Sequence, residues 1–375
     1  MNSSEIRYLG RQEKERTMEL WREAFPEDSE SFLAYYYEEK TRDNRVLVLE
    51  DHGGARILSM VHRNPYTLQV GAGRLRSDYI VAVATASDRR GRGYMRRLLT
   101  RMVEDMYREA MAFCYLMPAD RRIYEPFGFA YVYDQEHWKL TQEAEERLIK
   151  RRAGREDAEA VGAWMNRWLA ERYQVFAVRD EAYTARLLKE LESEKGRMEL
   201  LYESESDRDG GEPAGIRCLW GVEKQEQRML LCGPEYREKE REASPAIMAR
   251  IIDVRRCLEM ICLKKDSPLD AMEVILHIED GLCPWNQGTF LWKLGHGSSE
   301  VVKQSEDRTG ESAGAAKRRE REDKRRRLDL GIHQLAQWIF GYRDVPEPGW
   351  DTEEKEDGWR QNIGIWRGVF LDEVV

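Results

Sequence analysis

The residues best suited to chemistry follow a strand-like run that ends at Thr85. They form the turn Ser87-Asp88-Arg89-Arg90-Gly91-Arg92-Gly93-Tyr94-Met95, and an amphipathic helix follows at once. A helix that begins at such a turn offers unpaired backbone N–H groups and the positive end of its dipole to a pyrophosphate. Arginines neutralise the remaining charge. The spacing therefore predicts phosphate recognition at this turn.

Two other phosphate-binding motifs fit the turn poorly. A dinucleotide-binding Gly-x-Gly-x-x-Gly would need a third glycine where Arg96 stands, and no Gly-Lys-Ser/Thr follows for a Walker loop. From the two glycines alone, a charged helix start without any ligand remains an equal alternative.

The elements around this turn predict an α/β unit. Apolar residues at helical spacing indicate two short helices at 17–25 and 31–37. Short gaps then separate four strand-like runs, which indicates an antiparallel meander. The runs are 45–50, 55–63, 66–70 and 75–85. The amphipathic helix, a strand at 112–117, a short helix or turn at 121–126 and a strand at 129–140 complete a β-α-β arrangement.

The rest of the chain predicts two further units. The second has helices at 155–172 and 180–192 before three strands, at 197–202, 215–221 and 228–232. The third begins with a helix at 245–262, followed by strands at 271–280 and 288–294 and a helix at 331–340. We expect an α/β protein with mixed sheets, divided into residues 1–142, 143–244 and 245–375.

Composition narrows the class of protein. The 375 residues carry 61 basic and 70 acidic side chains, a net charge of -9 that disfavours polyanions and favours cationic substrates. No targeting segment or long apolar run is found, so we expect a cytoplasmic protein without membrane contact. The six cysteines form no Cys-x-x-Cys pair, which predicts reduced, mostly buried thiols and no metal site.

One segment stands apart in composition. Residues 303–327 hold ten basic and six acidic residues, a net charge of +4, with almost nothing to bury. We interpret this segment as an exposed insertion. It could touch phosphates, but no aromatic residues interleave for stacking on bases, so we expect no nucleic-acid partner.

The turn and its flanks resemble the acetyl-CoA-binding motif of the GNAT N-acetyltransferases. The matching residues are Val83-Ala84-Thr85 and Arg90-Gly91-Arg92-Gly93-Tyr94-Met95, with Met95 where most members have Gly or Ala. A larger residue there is similar to the Eis-like (enhanced intracellular survival) branch. The segment Leu116–Phe129, which contains Tyr124-Glu125-Pro126-Phe127-Gly128-Phe129, also resembles that branch, as do 20–25 and 249–254.

This resemblance implies a fold, a co-substrate and site residues. The fold is two tandem acetyltransferase-like domains followed by a sterol-carrier-protein-like domain, which leaves only 303–327 unmatched. The co-substrate is acetyl-CoA, with Val83 and Thr85 pairing with the pantetheine arm. The pyrophosphate would be held by Arg90, Gly91, Arg92, Gly93 and Met95.

The resemblance also implies the acid and the base of the reaction. Tyr124 is the expected acid that protonates the departing thiolate, with Arg121 or Arg122 lowering the cost of that transfer. The expected base is the terminal carboxylate on Val375, carried by the apolar segment 368–375 into the first unit. From the residues alone, a frayed end is the ordinary expectation for such a segment.

The expected acceptor is a primary amine on a small cationic molecule or a lysine side chain. Acidic residues between the first two helices, Glu27, Asp28 and Glu30, are candidates for an amine pocket. The resemblance further implies a homo-oligomer, a hexamer in that family. The alternative function is a lipid-binding or scaffold protein with an inactive acetyltransferase fold. Its cavity would be lined by residues that serve equally well as ordinary core: Leu276, Ile278, Trp285, Phe290, Leu291 and Trp292.

Overall fold

A computed structural model of the chain describes residues 5–221, 226–304, 326–345 and 358–373. Within this part the fold is mixed α/β, as expected. The strands in chain order are β1 Glu5–Tyr8, β2 Arg45–Glu50, β3 Ile57–Val70, β4 Gly73–Thr85, β5 Phe113–Leu116, β6 Ala130–Leu140, β7 Ile149–Arg152, β8 Val175–Ala177, β9 Arg197–Tyr202, β10 Gly215–Trp220, β11 Glu226–Cys232, β12 Arg237–Ile251, β13 Ala271–Glu279, β14 Gly288–Gly295, β15 Ser298–Lys303, β16 Arg327–Gly331 and β17 Val369–Phe370.

The helices agree closely with the predicted ones in the first two units. They are α1 Met18–Ala24, α2 Glu30–Glu39, α3 Tyr94–Arg108, α4 Arg121–Tyr124, α5 Gln142–Arg147, α6 Ala158–Ala170, α7 Glu181–Ser193, α8 Glu205–Arg208, α9 Val254–Leu258 and α10 Ile332–Ile339. No helix in the described ranges is long and apolar enough to cross a membrane.

The first sheet has the order β1-β2-β3-β4-β5-β12-β6, and β8 joins it through β3. Strands β2, β3 and β4 form the predicted antiparallel meander, and β4 and β5 are parallel across α3. The predicted break at Asn64-Pro65 is wrong, because β3 runs through both residues. Along β3, pairing with β2 stops at Arg63 and pairing with β8 starts at Leu68, so the missing N–H of Pro65 lies at a free edge.

The predicted helix at 245–262 is also wrong. Residues up to Ile251 belong to β12, which lies between β5 and β6, and only Val254–Leu258 is helical. Residues 246–251 are buried at every position because helices cover both faces of the sheet here. A continuous apolar run of this kind shows no period-2 alternation, so it does not distinguish a strand from a helix. The expected boundary at residue 244 falls inside this strand.

The second and third units each have a four-stranded sheet. The second sheet is antiparallel, in the order β11-β10-β9-β7, and α6 and α7 pack against it. The third has the order β15-β14-β13-β16, with β16 parallel to β13. The core of the third unit continues into β5 and β12 of the first sheet, so these two units share one apolar interior. The greater part of the predicted insertion, residues 305–325, lies outside the described residues.

The predicted cavity residues of the third unit are mostly packed core. Leu276, Ile278, Phe290 and Trp292 are at most 3% exposed and belong to that shared interior. Trp285 instead stacks on Tyr107 of α3, with ring centroids 4.4 Å apart. Leu291 alternates with Phe290 and Trp292 along β14 and is half-buried. The six cysteines are unpaired, and five of them are buried, as predicted.

Candidate functional site

The site is built on the separation of β4 from β5. The two parallel strands pair at Tyr79 and Tyr115, after which β5 ends at Leu116 while β4 continues to Thr85. On the side away from β3, β4 therefore has no strand partner after Tyr79 among the described residues. The pairing of β4 with β3 shifts register opposite Met60 and His62, where Ala82 has φ +50°. This bulge lies next to the half-buried Val83 and re-aims the strand.

The turn after β4 is held from its outer side. The hydroxyls of Ser59 and Thr85 lie 2.8 Å apart, and the Ser87 N–H donates to the Glu23 carboxylate at 2.6 Å. Arg56 donates two hydrogen bonds of 3.0 Å to Asp88. These contacts leave the opposite side of the turn uncovered and give it a defined shape.

Gly91 and Gly93 shape the uncovered side. Both have positive φ, +74° and +75°, and a Cβ added to either would meet no atom within 4 Å. Gly93 is also the N-cap of α3, and no side chain caps that helix. The first N–H groups of α3 have no acceptor inside the helix, and residues 91–93 before them are exposed. A backbone approach of this kind suits a phosphate group.

Positive charge surrounds these N–H groups. Arg90 and Arg92 are exposed, and the Arg90 Nε lies 3.4 Å from the carbonyl oxygen of Thr85. Met95 is half-buried and packs in the apolar cluster that also contains Tyr124 and Val83. The structure therefore places one residue of the strand, one of the helix start and the predicted acid in the same apolar cluster.

Tyr124 ends α4 on the same face of the sheet as α3. Its side chain is 8% exposed and its ring lies 5.8 Å from that of Phe129. Burial raises the pKa of Tyr124 to about 12, so the phenol keeps its proton at neutral pH. The neighbouring turn is tied to α3 because the guanidinium of Arg96 lies 5.0 Å from the centre of the Phe127 ring.

The arginine assistance expected for Tyr124 is not found. Arg122 is exposed and pairs with Asp120 at 2.5 Å, and Arg121 lies 3.6 Å from Glu125. Both guanidiniums are thus matched by carboxylates on the protein surface. Burial is the cause of the Tyr124 pKa shift, and no arginine opposes it.

The expected base, Val375, lies outside the described residues, but the segment leading to it is described as far as Glu373. The Glu373 side chain is buried, and the Tyr183 hydroxyl of α7 donates to its carboxylate at 3.3 Å. Burial raises the pKa of Tyr79 and of Tyr115, and the nearby Glu373 carboxylate raises both further. These two tyrosines mark the point where β4 and β5 separate.

The acidic candidates between α1 and α2 have different surroundings. Asp28 is half-buried, and its carboxylate accepts a hydrogen bond of 2.7 Å from the Trp21 indole. Burial raises the pKa of Asp28, and the charges of Glu27 and Glu194 raise it further. Glu27 is exposed, and Glu30 is paired with Arg22 at 2.7 Å.

Sequence reasoning missed the contribution of the second unit to this region. Glu194, just after α7, accepts a hydrogen bond of 2.5 Å from the Ser29 hydroxyl and adds a carboxylate beside Asp28. Tyr183 of the same helix contacts Glu373. These residues are far from the motif in sequence, and only the docking of α7 on α2 brings them close.

Comparison with known protein families assigns two parts of the chain. Residues 5–132 match the acetyltransferase (GNAT) domain, and residues 254–347 match the sterol carrier protein domain. No curated protein matches the chain.

Several solved structures share the fold along nearly the whole chain. A GCN5-related N-acetyltransferase from Kribbella flavida has a TM-score of 0.70 at 17% identity, over 99% of both chains. Eis1 from Mycobacterium abscessus has a TM-score of 0.66 at 12% identity, over 99% of this chain and 100% of that one. A probable N-acyltransferase from Enterococcus faecalis has a TM-score of 0.68 at 17% identity, over 91% and 90%. At these identities the likeness establishes the fold.

Proposed function

The chain joins a GNAT acetyltransferase domain to a sterol carrier protein domain in an Eis-like fold, and from this premise we propose its reaction. The protein transfers an acetyl group from acetyl-CoA to the primary amine of a cationic small molecule or of a lysine side chain. The observation that carries the proposal is the free edge of β4, which leads directly into the uncapped, arginine-flanked start of α3.

The free edge and the turn fit the co-substrate. Backbone groups of Val83 and Thr85 would pair with the pantetheine arm, because β5 leaves that edge of β4 without a partner strand. The Val83 N–H would polarise the thioester carbonyl. Residues Arg90 to Met95 would hold the pyrophosphate. When bound, acetyl-CoA would supply the acetyl group as a thioester, with the thiol of CoA as the leaving group.

The protein residues would then transfer two protons, one from the amine and one to the thiolate. The amine nitrogen forms a bond to the acetyl carbon, the bond from that carbon to sulfur breaks, and the nitrogen loses a proton. The Val375 carboxylate is the proposed acceptor of that proton. The assignment is supported by Glu373, two residues before Val375, whose carboxylate lies near enough to Tyr79 and Tyr115 to raise the pKa of both. Tyr124 is the proposed donor of a proton to the departing thiolate.

Replacing Gly93 with alanine is expected to weaken CoA binding by about tenfold. The new Cβ would project into the open space where the phosphates approach, and the positive φ would be strained. The stabilisation by CoA in a thermal-shift titration measures the effect. Gly53→Ala is the matched control, since Gly53 also has positive φ, +97°, and open space, in the turn between β2 and β3. Equal CoA affinity in both variants would contradict the phosphate assignment.

Replacing Asp28 with asparagine is expected to raise KM for a cationic acceptor by about tenfold or more, with kcat nearly unchanged. The amide can still accept the Trp21 hydrogen bond, but the charge that would pair with an ammonium is lost. Initial rates over a range of acceptor concentrations measure this. Glu38→Gln on α2, whose side chain is 70% exposed, is the control. An unchanged KM would remove Asp28 from the acceptor pocket.

The reaction itself is tested by acetyl-CoA-dependent thiol release. A panel of aminoglycosides, polyamines and lysine peptides is offered to the chain with an untagged C-terminus, because a tag would displace the Val375 carboxylate. Amine-dependent release is the expected result, and it ranks the acceptors. Absence of release, with CoA still binding, would favour the carrier function. Absence of CoA binding would overturn the assignment of Arg90 to Met95.

The sterol carrier protein domain supports a second candidate, an apolar ligand carrier. Organic extraction of the purified protein followed by mass spectrometry tests it, and a stoichiometric co-purifying lipid would support it. The homo-oligomer implied by the resemblance is a separate proposal, which light scattering of the full chain in solution tests.

A further inference from the structure

The last described residues of the chain lie against the second unit. Strand β17 pairs in parallel with β8, through Val369 with Val175 and Phe370 with Phe176. The N–H groups of Gln174 and Val175 donate to the Gly368 carbonyl at 2.8 and 3.2 Å. These backbone bonds set the direction in which the chain continues towards the first unit.

Arg228 of β11 contacts Asp372, which lies two residues after β17, through two of its nitrogen atoms. Its Nη1 lies 2.8 Å from the Asp372 carboxylate, and its Nη2 donates to the Asp372 main-chain carbonyl at 2.6 Å. The two side chains are only 7% and 5% exposed. Gln135 of β6 donates to the same carboxylate at 3.1 Å. One guanidinium that contacts both the backbone and the side chain of a residue defines its position and its orientation.

Arg179 provides a second positive charge for the following residue, Glu373. It is 1% exposed, and its guanidinium lies 5.4 Å from the Phe370 ring and 5.2 Å from the Tyr183 ring. Burial raises the pKa of Glu373, while the charges of Arg179 and Arg228 lower it. Arg228 thus contacts Asp372 directly, whereas Arg179 lies against the rings of Phe370 and of Tyr183, the residue whose hydroxyl reaches Glu373.

Such burial is a costly way to attach a chain end. Apolar side chains would attach the segment at less cost, because each buried charge loses its hydration. Ion pairs instead specify position. Phe370 already supplies the apolar contact, since its ring lies 5.1 Å from that of Tyr173. The charged residues therefore fix the orientation of a segment that the apolar contact of Phe370 already attaches.

We propose that Arg228 and Arg179 are positioning residues for acetyl transfer, through which the second unit fixes the position and orientation of residues 368–373. This inference rests on the proposed function, because it concerns the segment that leads to the proposed base. The second unit then serves the reaction as an anchor, with its arginines directed at the C-terminal segment.

The test uses the full chain with an untagged C-terminus and the variant Arg228→Gln. We expect carboxypeptidase to leave Glu373 and Asp372 in place in the parent protein and to remove both in the variant, as intact mass shows. We also expect kcat to fall at least about thirtyfold while the affinity for CoA, by thermal shift, changes less than about twofold. Removing residues 374–375 from the variant should lower kcat little further, because both changes remove the same contribution of the C-terminal segment to the reaction.

Arg217→Gln is the matched control. Arg217 lies in the same sheet, is 12% exposed and pairs with Glu199 at 2.6 Å, away from the C-terminal segment. It should leave trimming and kcat unchanged. If Arg228→Gln fails to fold, Arg228→Lys is used instead. Lysine keeps the charge but cannot contact both the carboxylate and the main-chain carbonyl of Asp372 in the same way. We expect the extent of trimming and kcat to lie between those of the parent and those expected for Arg228→Gln.

Two results would overturn the proposal. One is trimming in the Arg228 variants equal to that of the parent, and the other is deeper trimming with an unchanged kcat. If the parent shows no amine-dependent thiol release, the proposed function fails by itself, and the trimming comparison still decides whether Arg228 anchors the segment.

Discussion

Replacing Tyr124 with phenylalanine is expected to lower kcat by about 10²- to 10⁴-fold, the range typical of a lost general acid. Burial holds the pKa of Tyr124 at about 12, so the hydroxyl is protonated throughout the pH range of the assay. In the proposed reaction, the departing thiolate would form in the same apolar surroundings, which would raise its own proton affinity. Phenylalanine preserves the ring that packs near Phe129 and removes only the proton donor.

Steady-state thiol release at saturating acceptor measures this loss, and a CoA thermal-shift titration shows that binding is retained. Tyr107→Phe serves as the control, because Tyr107 is 38% exposed and its ring stacks on Trp285 far along α3. A Tyr124→Phe variant with the kcat of the parent would assign the acid role to another group or to water.

Replacing Asp280 with alanine is expected to lower the free energy of unfolding by about 3–5 kcal/mol, the usual cost of breaking a buried ion pair. Both carboxylate oxygens of Asp280 accept hydrogen bonds of 2.7 Å from Arg250 of β12, and the two side chains are 2% and 0% exposed. The same carboxylate accepts from the N–H groups of Leu282 and Cys283 at 3.1 Å. Alanine removes the carboxylate, so the buried Arg250 guanidinium loses its ion-pair partner and the two N–H groups lose their acceptor.

Scanning calorimetry should show a melting temperature lower by about 10 °C, given about 2–4 °C for each kcal/mol in a large domain. Asp280→Asn should cost less, since its amide oxygen can still accept from the two backbone groups. In the control Asp329→Ala, the lost partner is Arg327 and the pair is 45% and 56% exposed, so about 0–1 kcal/mol is expected. Equal losses of unfolding free energy in Asp280→Ala and in this control would show that the buried pair between β12 and the third unit does not stabilise the fold more than an exposed pair does.

Local sequence patterns predicted the elements that carry the proposed phosphate site. The periodicity of Met95, Leu98, Leu99, Met102 and Met106 indicates α3, and the two glycines mark the turn before it. Both signals lie within about twenty residues, where spacing maps directly onto geometry. The structure places this helix and turn after β4 as predicted.

Longer-range features were not available from such patterns. The helix predicted at 245–262 is mainly the strand β12, because a segment buried on both faces shows neither periodicity clearly. The pairing of β12 between β5 and β6 depends on residues about one hundred or more positions away. Arg121 and Arg122 were expected to assist proton transfer from Tyr124. In the structure they pair with Glu125 and Asp120 instead, and the spacing of the residues did not predict these pairs.

The amino-acid sequence by itself determined the α/β class, the turn at Arg90–Met95 and the segment containing Tyr124, since each depends on residues close together in the chain. Only the tertiary structure decided that β4 separates from β5 after Tyr79, that Glu194 lies beside Asp28, and that Arg228 meets Asp372 and Tyr183 meets Glu373. These contacts join residues as much as 190 positions apart. No local spacing encodes such contacts, because they form only when the three units bury their apolar faces against one another.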